Sequence, residues 1–181
     1  MKQQNDIDIS DEEIVKAVIN NDHSAFKCLY YRYFPMLIRF AWYRLHSADM
    51  AKELVQELFY RIWIKRNNLN PDKSIKAYLY KSLNNLIINH SKLSSSKTIS
   101  LDDIKRNKFY ADEENKLELR IDIEEGIKKL PDKIKTVYLL SRIEGYKYDE
   151  IADICGISIK AVEKRMSRAL NILRRIFKKN I

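Results

Sequence analysis

Three glycines and three prolines are all that punctuate 181 residues, and that scarcity constrains the fold more than any other feature. Sheet-rich folds need Gly and Pro at their many tight turns. No glycine-rich phosphate loop can be written either, because Gly126, Gly145 and Gly156 stand far apart. The expectation is an all-α chain. Charged residues make up 33% and hydrophobic ones 45%, the balance of a globular protein rather than a disordered one. The two cysteines, Cys28 and Cys155, form neither a CxxC pair nor a zinc spacing. Both read as small buried hydrophobes of a reducing compartment. His23, His46 and His90 have no mutual spacing that suggests a metal site and read as surface residues. No metal and no cofactor is expected, and no carboxylate, His or Cys constellation suggests an enzyme. The N-terminal residues carry no apolar stretch that would read as a signal peptide. No run approaches the roughly 18 apolar residues of a membrane span, so the expected location is the cytoplasm, with no membrane insertion.

Charge divides the chain into three pieces. Residues 1–93 hold 14 basic and 10 acidic side chains, residues 94–118 hold 5 and 6, and residues 119–181 hold 15 and 9. The middle piece opens on Ser94-Ser95-Ser96, is polar and aperiodic, and reads as a linker. The expected organisation is two small helical domains, residues 10–93 and 119–181, joined by that linker. In the first, Ser10 and Glu13 form a capping box ahead of Ile14, Val15, Val18 and Ile19. A second helix carries Phe26, Leu29, Tyr30 and Tyr33, and Pro35 is placed to begin a third. Ser47 can cap a long helix with an apolar stripe from Ala51 to Ile62, and Ser74 caps another from Ile75 to Ile87. The turn between them holds Asn70-Pro71. In the second domain, Leu117 to Leu130 reads as helical with Gly126 as a weak point, Pro131 starts the next helix, and Gly145 ends it.

Residues 148–168 carry the sharpest signal. Tyr148 to Cys155 is a short helix, Gly156-Ile157-Ser158 a tight turn, and Ile159 begins a second helix capped by Ser158. Ala152 is small enough for the crossing, Gly156 tolerates a positive φ, and Val162 is a branched apolar anchor. These are the requirements of a helix-turn-helix. On its second helix Val162, Met166, Ala169, Leu173 and Ile176 recur at core spacing, while Lys160, Glu163, Lys164, Ser167 and Arg168 lie opposite, where base edges of a major groove are met.

Two further faces stand out. Helix 48–66 sets Lys52, Glu53, Gln56, Glu57, Tyr60 and Arg61 opposite its apolar stripe; such a face is either solvated or docked on a partner. Helix 74–91 carries Lys76, Tyr78, Tyr80, Lys81, Asn84, Asn85 and Asn89. Rings, amides and positive charge on one surface suit single-stranded nucleic acid, because rings stack on bases and cations follow phosphates.

In order and spacing these blocks resemble an RNA polymerase sigma factor of the sigma-70 family, in its extracytoplasmic-function group. Phe26 to Tyr30 with Tyr33 resembles the family's first core helix. Ala51 to Phe59 with Ile62-Trp63 resembles its clamp-binding helix. Tyr78-Leu79-Tyr80 followed by Asn85 resembles its −10 element helix. Leu130-Pro131, Gly145-Tyr146, Glu150-Ile151-Ala152, Gly156-Ile157-Ser158, Val162 to Arg165 and Arg168-Ala169-Leu170 resemble its −35 module. The resemblance implies that Glu53, Leu54, Gln56, Glu57, Tyr60 and Arg61 bind core RNA polymerase. It implies that Asn67, Asn70, Ser74, Lys76, Tyr78, Lys81, Asn84, Asn85 and Asn89 bind the opened −10 strand, with a flipped base received by the loop Asn67 to Lys73. It implies that Ser141, Arg142, Ser158, Lys160, Glu163, Lys164, Arg165, Ser167 and Arg168 bind the −35 duplex, and that an anti-sigma factor masks these surfaces. Lys147 stands where the family usually caps the first helix of the turn motif with Ser, which removes an interaction worth about 1 kcal/mol. The competing reading from the residues is a stand-alone helix-turn-helix regulator whose N-terminal helices bind a ligand or dimerise.

Overall fold

A computed structural model describes residues 9–94 and 124–178. Among these, every regular element is helical: α1 (Asp11–Ile19), α2 (His23–Leu45), α3 (Ala48–Ile64), a 3-10 turn (Arg66–Asn68), α4 (Ile75–Ser94), residues 124–128 (α5), α6 (Asp132–Arg142), α7 (Tyr148–Cys155) and α8 (Ile159–Lys178). The expected linker, beyond its first residue, and the expected start of a helix at Leu117 lie outside the described residues. No helix among the described residues is long and apolar enough to cross a membrane.

Local chemistry sets the helix ends. Glu13 Oε2 accepts from the Ser10 amide at 3.0 Å and Ser10 Oγ from the Glu13 amide at 3.2 Å, closing the capping box. Ser47 Oγ accepts from the Met50 amide at 3.3 Å, Ser74 Oγ from that of Ala77 at 3.1 Å, and Ser158 Oγ from that of Ala161 at 3.3 Å. Asp22, which the sequence reading passed over, caps α2 through the Ser24 and Ala25 amides. At α7 no side chain caps from Lys147; instead the Glu150 carboxylate accepts from the Lys147 amide at 2.8 Å. Gly145 and Gly156 take φ of +77° and +65°, the left-handed conformation that lets the chain leave α6 and α7.

Pro35 does not begin a helix, as its first-turn preference suggested; it lies inside the continuous α2. The proline and Tyr31, whose carbonyl loses its helical donor, are both on the solvent side, where water can satisfy that acceptor. Leu29, Tyr33, Leu37, Phe40 and Ala41 are meanwhile buried on the opposite side, from both halves of the helix. Packing across the proline outweighs the single missing bond. Cys28 is exposed, not buried as expected, and Cys155 is half-buried. Gly126 is less a weak point than a close approach: a Cβ there would meet Leu173 Cδ2 at 3.0 Å and Phe177 Cζ at 3.2 Å.

Helices α1 to α4 pack as one group. Phe26 and Tyr30 of α2 meet Phe59 and Trp63 of α3 ring to ring, and Arg32 and Tyr33 hold Asp11 of α1. Helices α6 to α8 pack as a second group. The groups are joined, α4 against α7 and α2 against α6, and one buried apolar cluster runs through both.

Candidate nucleic-acid interface

Three faces carry the expected site residues. On α3, Ala51, Leu54, Val55, Leu58, Phe59 and Ile62 are buried, and the same 3.6-residue period turns Glu53, Gln56, Tyr60 and Arg61 outward. Glu53, Leu54, Gln56, Glu57 and Tyr60 line a shallow depression of about 360 Å³. Leu54 is only 8% exposed and forms its floor. Arg61 Nε donates to Glu57 Oε1 at 2.5 Å, one turn away on the same face. The face is polar, with Lys52 and Glu53 exposed, Glu57 paired to Arg61, and one exposed aromatic ring, Tyr60.

On α4 the expected residues separate. Tyr78, Lys81, Asn85 and Asn89 follow one another at three- and four-residue steps along an exposed stripe. Asn67 and Asn70 are exposed in the preceding turn, where the Asn70 side chain accepts from the Asp72 amide at 2.9 Å. Ser74 is taken up in capping α4. Lys76, Tyr80 and Asn84 do not share the stripe. Asn84 is 4% and Tyr80 0% exposed, because the C-terminal group packs on that side. Asn84 Oδ1 accepts from Arg44 Nη1 at 3.0 Å. The same Arg44 nitrogen donates to Thr136 Oγ1 of α6, and that hydroxyl donates to the Asp132 carbonyl at 2.8 Å. The Tyr80 hydroxyl donates to Glu144 Oε2, and Lys76 Nζ donates to the Glu144 carbonyl at 3.2 Å.

In the helix-turn-helix, Ala152 is 6% and Val162 0% exposed, and Met166, Ala169 and Leu173 continue the buried stripe of α8. Ser158, Lys160, Glu163, Lys164, Ser167 and Arg168 are all exposed on its other side, as the spacing predicts. Ser141 and Arg142 close α6. Arg165 is half-exposed, set apart from that outer face. It lines an open cleft of about 430 Å³ between the two groups, with Arg44, Asn84, Lys92 and Lys133.

The sequence reading missed Arg39, Arg44, Lys135, Thr136 and Glu144, which join the groups. One signal was present: Arg44 falls at core spacing after Leu37, Phe40 and Ala41. A charge at such a position is a charge with a tertiary partner. His46, read as a surface residue, also belongs to the join, with Nε2 3.0 Å from Lys135 Nζ. Burial there, with the Lys135 and Lys128 charges, lowers the imidazole from 6.5 to about 4. The fold therefore favours the neutral ring. Its contribution is complete above pH 6.5 and is lost as pH falls through about 4. An NMR titration is expected to place the His46 midpoint near 4; an ordinary histidine midpoint would show that the contact does not persist in solution.

Comparison with known proteins adds an independent line. The family model described as "Sigma-70 region 2" matches residues 29–95, and that described as "Sigma-70, region 4" matches residues 120–173. Curated relatives include the RNA polymerase sigma factor SigV of Bacillus subtilis, 28% identical over 136 residues, covering 75% of this chain and 81% of the relative. The RNA polymerase sigma-H factor of Pseudomonas aeruginosa is 23% identical over 176 residues, covering 88% and 89%. The ECF RNA polymerase sigma factor SigW of Bacillus subtilis is 24% identical over 174 residues, covering 89% and 93%. Among solved structures, CnrH in complex with the cytosolic domain of CnrY superposes with a TM-score of 0.73 at 22% identity, covering 94% of this chain and 99% of that one. The sigma factor RpoE of Bartonella quintana, in complex with the anti-sigma factor NepR, gives 0.69 at 23% identity, covering 84% and 96%. These two likenesses show the fold.

Proposed function

We propose a division of labour that starts from one premise: the chain belongs to the sigma-70 family of RNA polymerase sigma factors, in its extracytoplasmic-function group. It is a transcription initiation factor that directs RNA polymerase to specific promoters. Residues 10–93 bind core polymerase and the −10 element, residues 94–118 link, and residues 119–181 read the −35 element. The observation that carries this reading is the exposed basic stripe of α8, Lys160 to Arg168, presented by a helix-turn-helix within the region 4 match. Arg and Lys on the outer face of such a helix meet base edges and phosphates of a major groove. The α3 face around Glu53, Gln56, Glu57 and Tyr60 docks on the polymerase. The α4 stripe of Tyr78, Lys81, Asn85 and Asn89 meets the opened strand, where stacking on Tyr78 adds about 1–3 kcal/mol. The chain performs no chemistry of its own, acts in the cytoplasm and is held in check by an anti-sigma factor, as the RpoE structure solved with the anti-sigma factor NepR suggests.

Run-off transcription tests the reading. The chain alone is expected to start no transcripts and, with core polymerase, to start them at defined promoters. Tight sequence-specific DNA binding by the isolated chain, with no effect of core polymerase, would establish the stand-alone regulator instead. The polymerase face has its own check. Gln56→Ala with Glu57→Lys is expected to lower core affinity about tenfold, through charge reversal at a docking rim. Both side chains leave the buried stripe and the Glu57–Arg61 pair is solvent-facing, so stability changes by no more than about 0.5 kcal/mol. Unchanged competition for core would move the docking face elsewhere.

A further inference from the structure

Arg44 is 9% exposed at the join between the two groups, yet both of its hydrogen-bond partners are neutral. Its Nη1 donates to Asn84 Oδ1 and to Thr136 Oγ1, and its Nε is buried without a partner among the described residues. The acid that acts on this guanidinium, Asp132, does so only through space, and the cation within ion-pair distance of its carboxylate is Lys135, at 3.9 Å. Burial opposes the Arg44 charge more than Asp132 supports it. Desolvation of a buried guanidinium is offset only by an anion in good geometry, and the described residues bring none.

Arg44 lines the cleft of about 430 Å³ between the groups. Three more cations line it, Lys92 of α4, Lys133 of α6 and Arg165 of α8, against the single acid Asp132, whose side chain is 64% exposed. A cleft dominated by one sign of charge focuses the field and concentrates counter-ions. Helix α6 adds to that field. Its first residues line the cleft, and no side chain caps its N-terminus, so the positive end of its dipole acts with the cations. The lining includes no aromatic ring, so nothing in it stacks on a base. Its volume is that of a small-molecule site.

We propose that this cleft binds a small polyphosphate, a ligand with two or three linked phosphate groups, and that Arg44, Lys133 and Arg165 are its principal cations. Guanidinium groups meet phosphate oxygens in pairs, and an ammonium adds a point charge. Linked phosphates match a lining of several cations better than a lone carboxylate does. The Asn84 oxygen is held by Arg44, which leaves the amide nitrogen to donate. Helices α2 and α4 form one wall of the cleft and α6 to α8 the other, so the bound ligand holds the two groups together. The site needs none of the polymerase or promoter contacts described above.

Isothermal titration of the full chain with sodium triphosphate, at an ionic strength of about 0.15 M, tests the site. One equivalent is expected to bind saturably. Lys133→Gln with Arg165→Gln is expected to weaken binding about tenfold. Asp132→Asn, which removes the one acid, is expected to strengthen it about threefold. Arg174→Gln with Arg175→Gln removes the same charge from an exposed part of α8, about 14 Å further along the helix. That pair is expected to leave affinity within about twofold, because charges so far apart are screened. Circular dichroism checks that each variant is helical; should the cleft double variant not fold, Lys133→Gln alone, an exposed position, takes its place. A parallel titration with adenosine triphosphate distinguishes two sources of the same chemistry. Affinity no higher than for triphosphate makes the phosphates the whole recognised unit, higher affinity makes the ligand a nucleotide, and both uphold the site. Absence of saturable binding overturns the proposal, as does Asp132→Asn without a gain. Equal weakening by the two double variants also overturns it, because the overall positive charge of the chain would then be all that holds the anion.

Discussion

Val162→Asp is expected to unfold the C-terminal helices while α1 to α4 remain helical. Val162 is 0% exposed and anchors α8 where it crosses α7. A carboxylate there has no cation among its apolar neighbours Ile151, Ile154 and Met166, which share its buried cluster. An uncompensated buried charge costs about 3–5 kcal/mol, a large part of the stability of any small domain. The expected readings are a partial loss of helical circular dichroism, loss of amide protection across α6 to α8, and no promoter-directed initiation. Loss of α7 and the turn before it also strips the cover from Tyr80 and Asn84, so α4 should gain exchange at the same time. Cooperative melting at the wild-type temperature would show that the anchor has been misplaced.

The second large effect concerns DNA rather than folding. Lys164 and Arg168 lie one turn apart on the exposed side of α8. The double variant Lys164→Glu, Arg168→Glu is expected to lower promoter-directed initiation about a hundredfold or more. A lost base contact costs about 1–3 kcal/mol at each position, and each reversed charge also repels phosphate, so the defect should deepen as salt is lowered. Core affinity should hardly change, because the α3 face lies in the other group. Arg165→Ala should do less, since that side chain lines the cleft beside Arg44 rather than the outer stripe. Wild-type initiation by the double variant would make the basic stripe an ordinary solvated surface.

Much of this architecture was legible in the residues because its signals are local. A capping serine acts on amides three residues away, a glycine sets its own φ, and an apolar stripe repeats every three or four positions. Ser10, Ser47, Ser74, Ser158, Gly145 and Gly156 therefore mark helix ends, and the two faces of α8 separate by period alone. Pro35 shows the limit of such rules. Its local preference is to begin a helix, yet burial on both sides of it keeps α2 whole.

The sequence alone determined most helix ends, the helix-turn-helix and the exposed stripes of α3 and α8, because each follows from neighbours within a few residues. Only the tertiary structure decided that the two groups close on one another and thereby cover Asn84 and Tyr80, turn Arg165 into a cleft and bury Glu144. The bonds responsible join residues 64 to 105 positions apart, Tyr80 to Glu144 and Arg39 to Glu144. No local rule senses such a partner: burial of a charge is determined by what the rest of the chain brings to it.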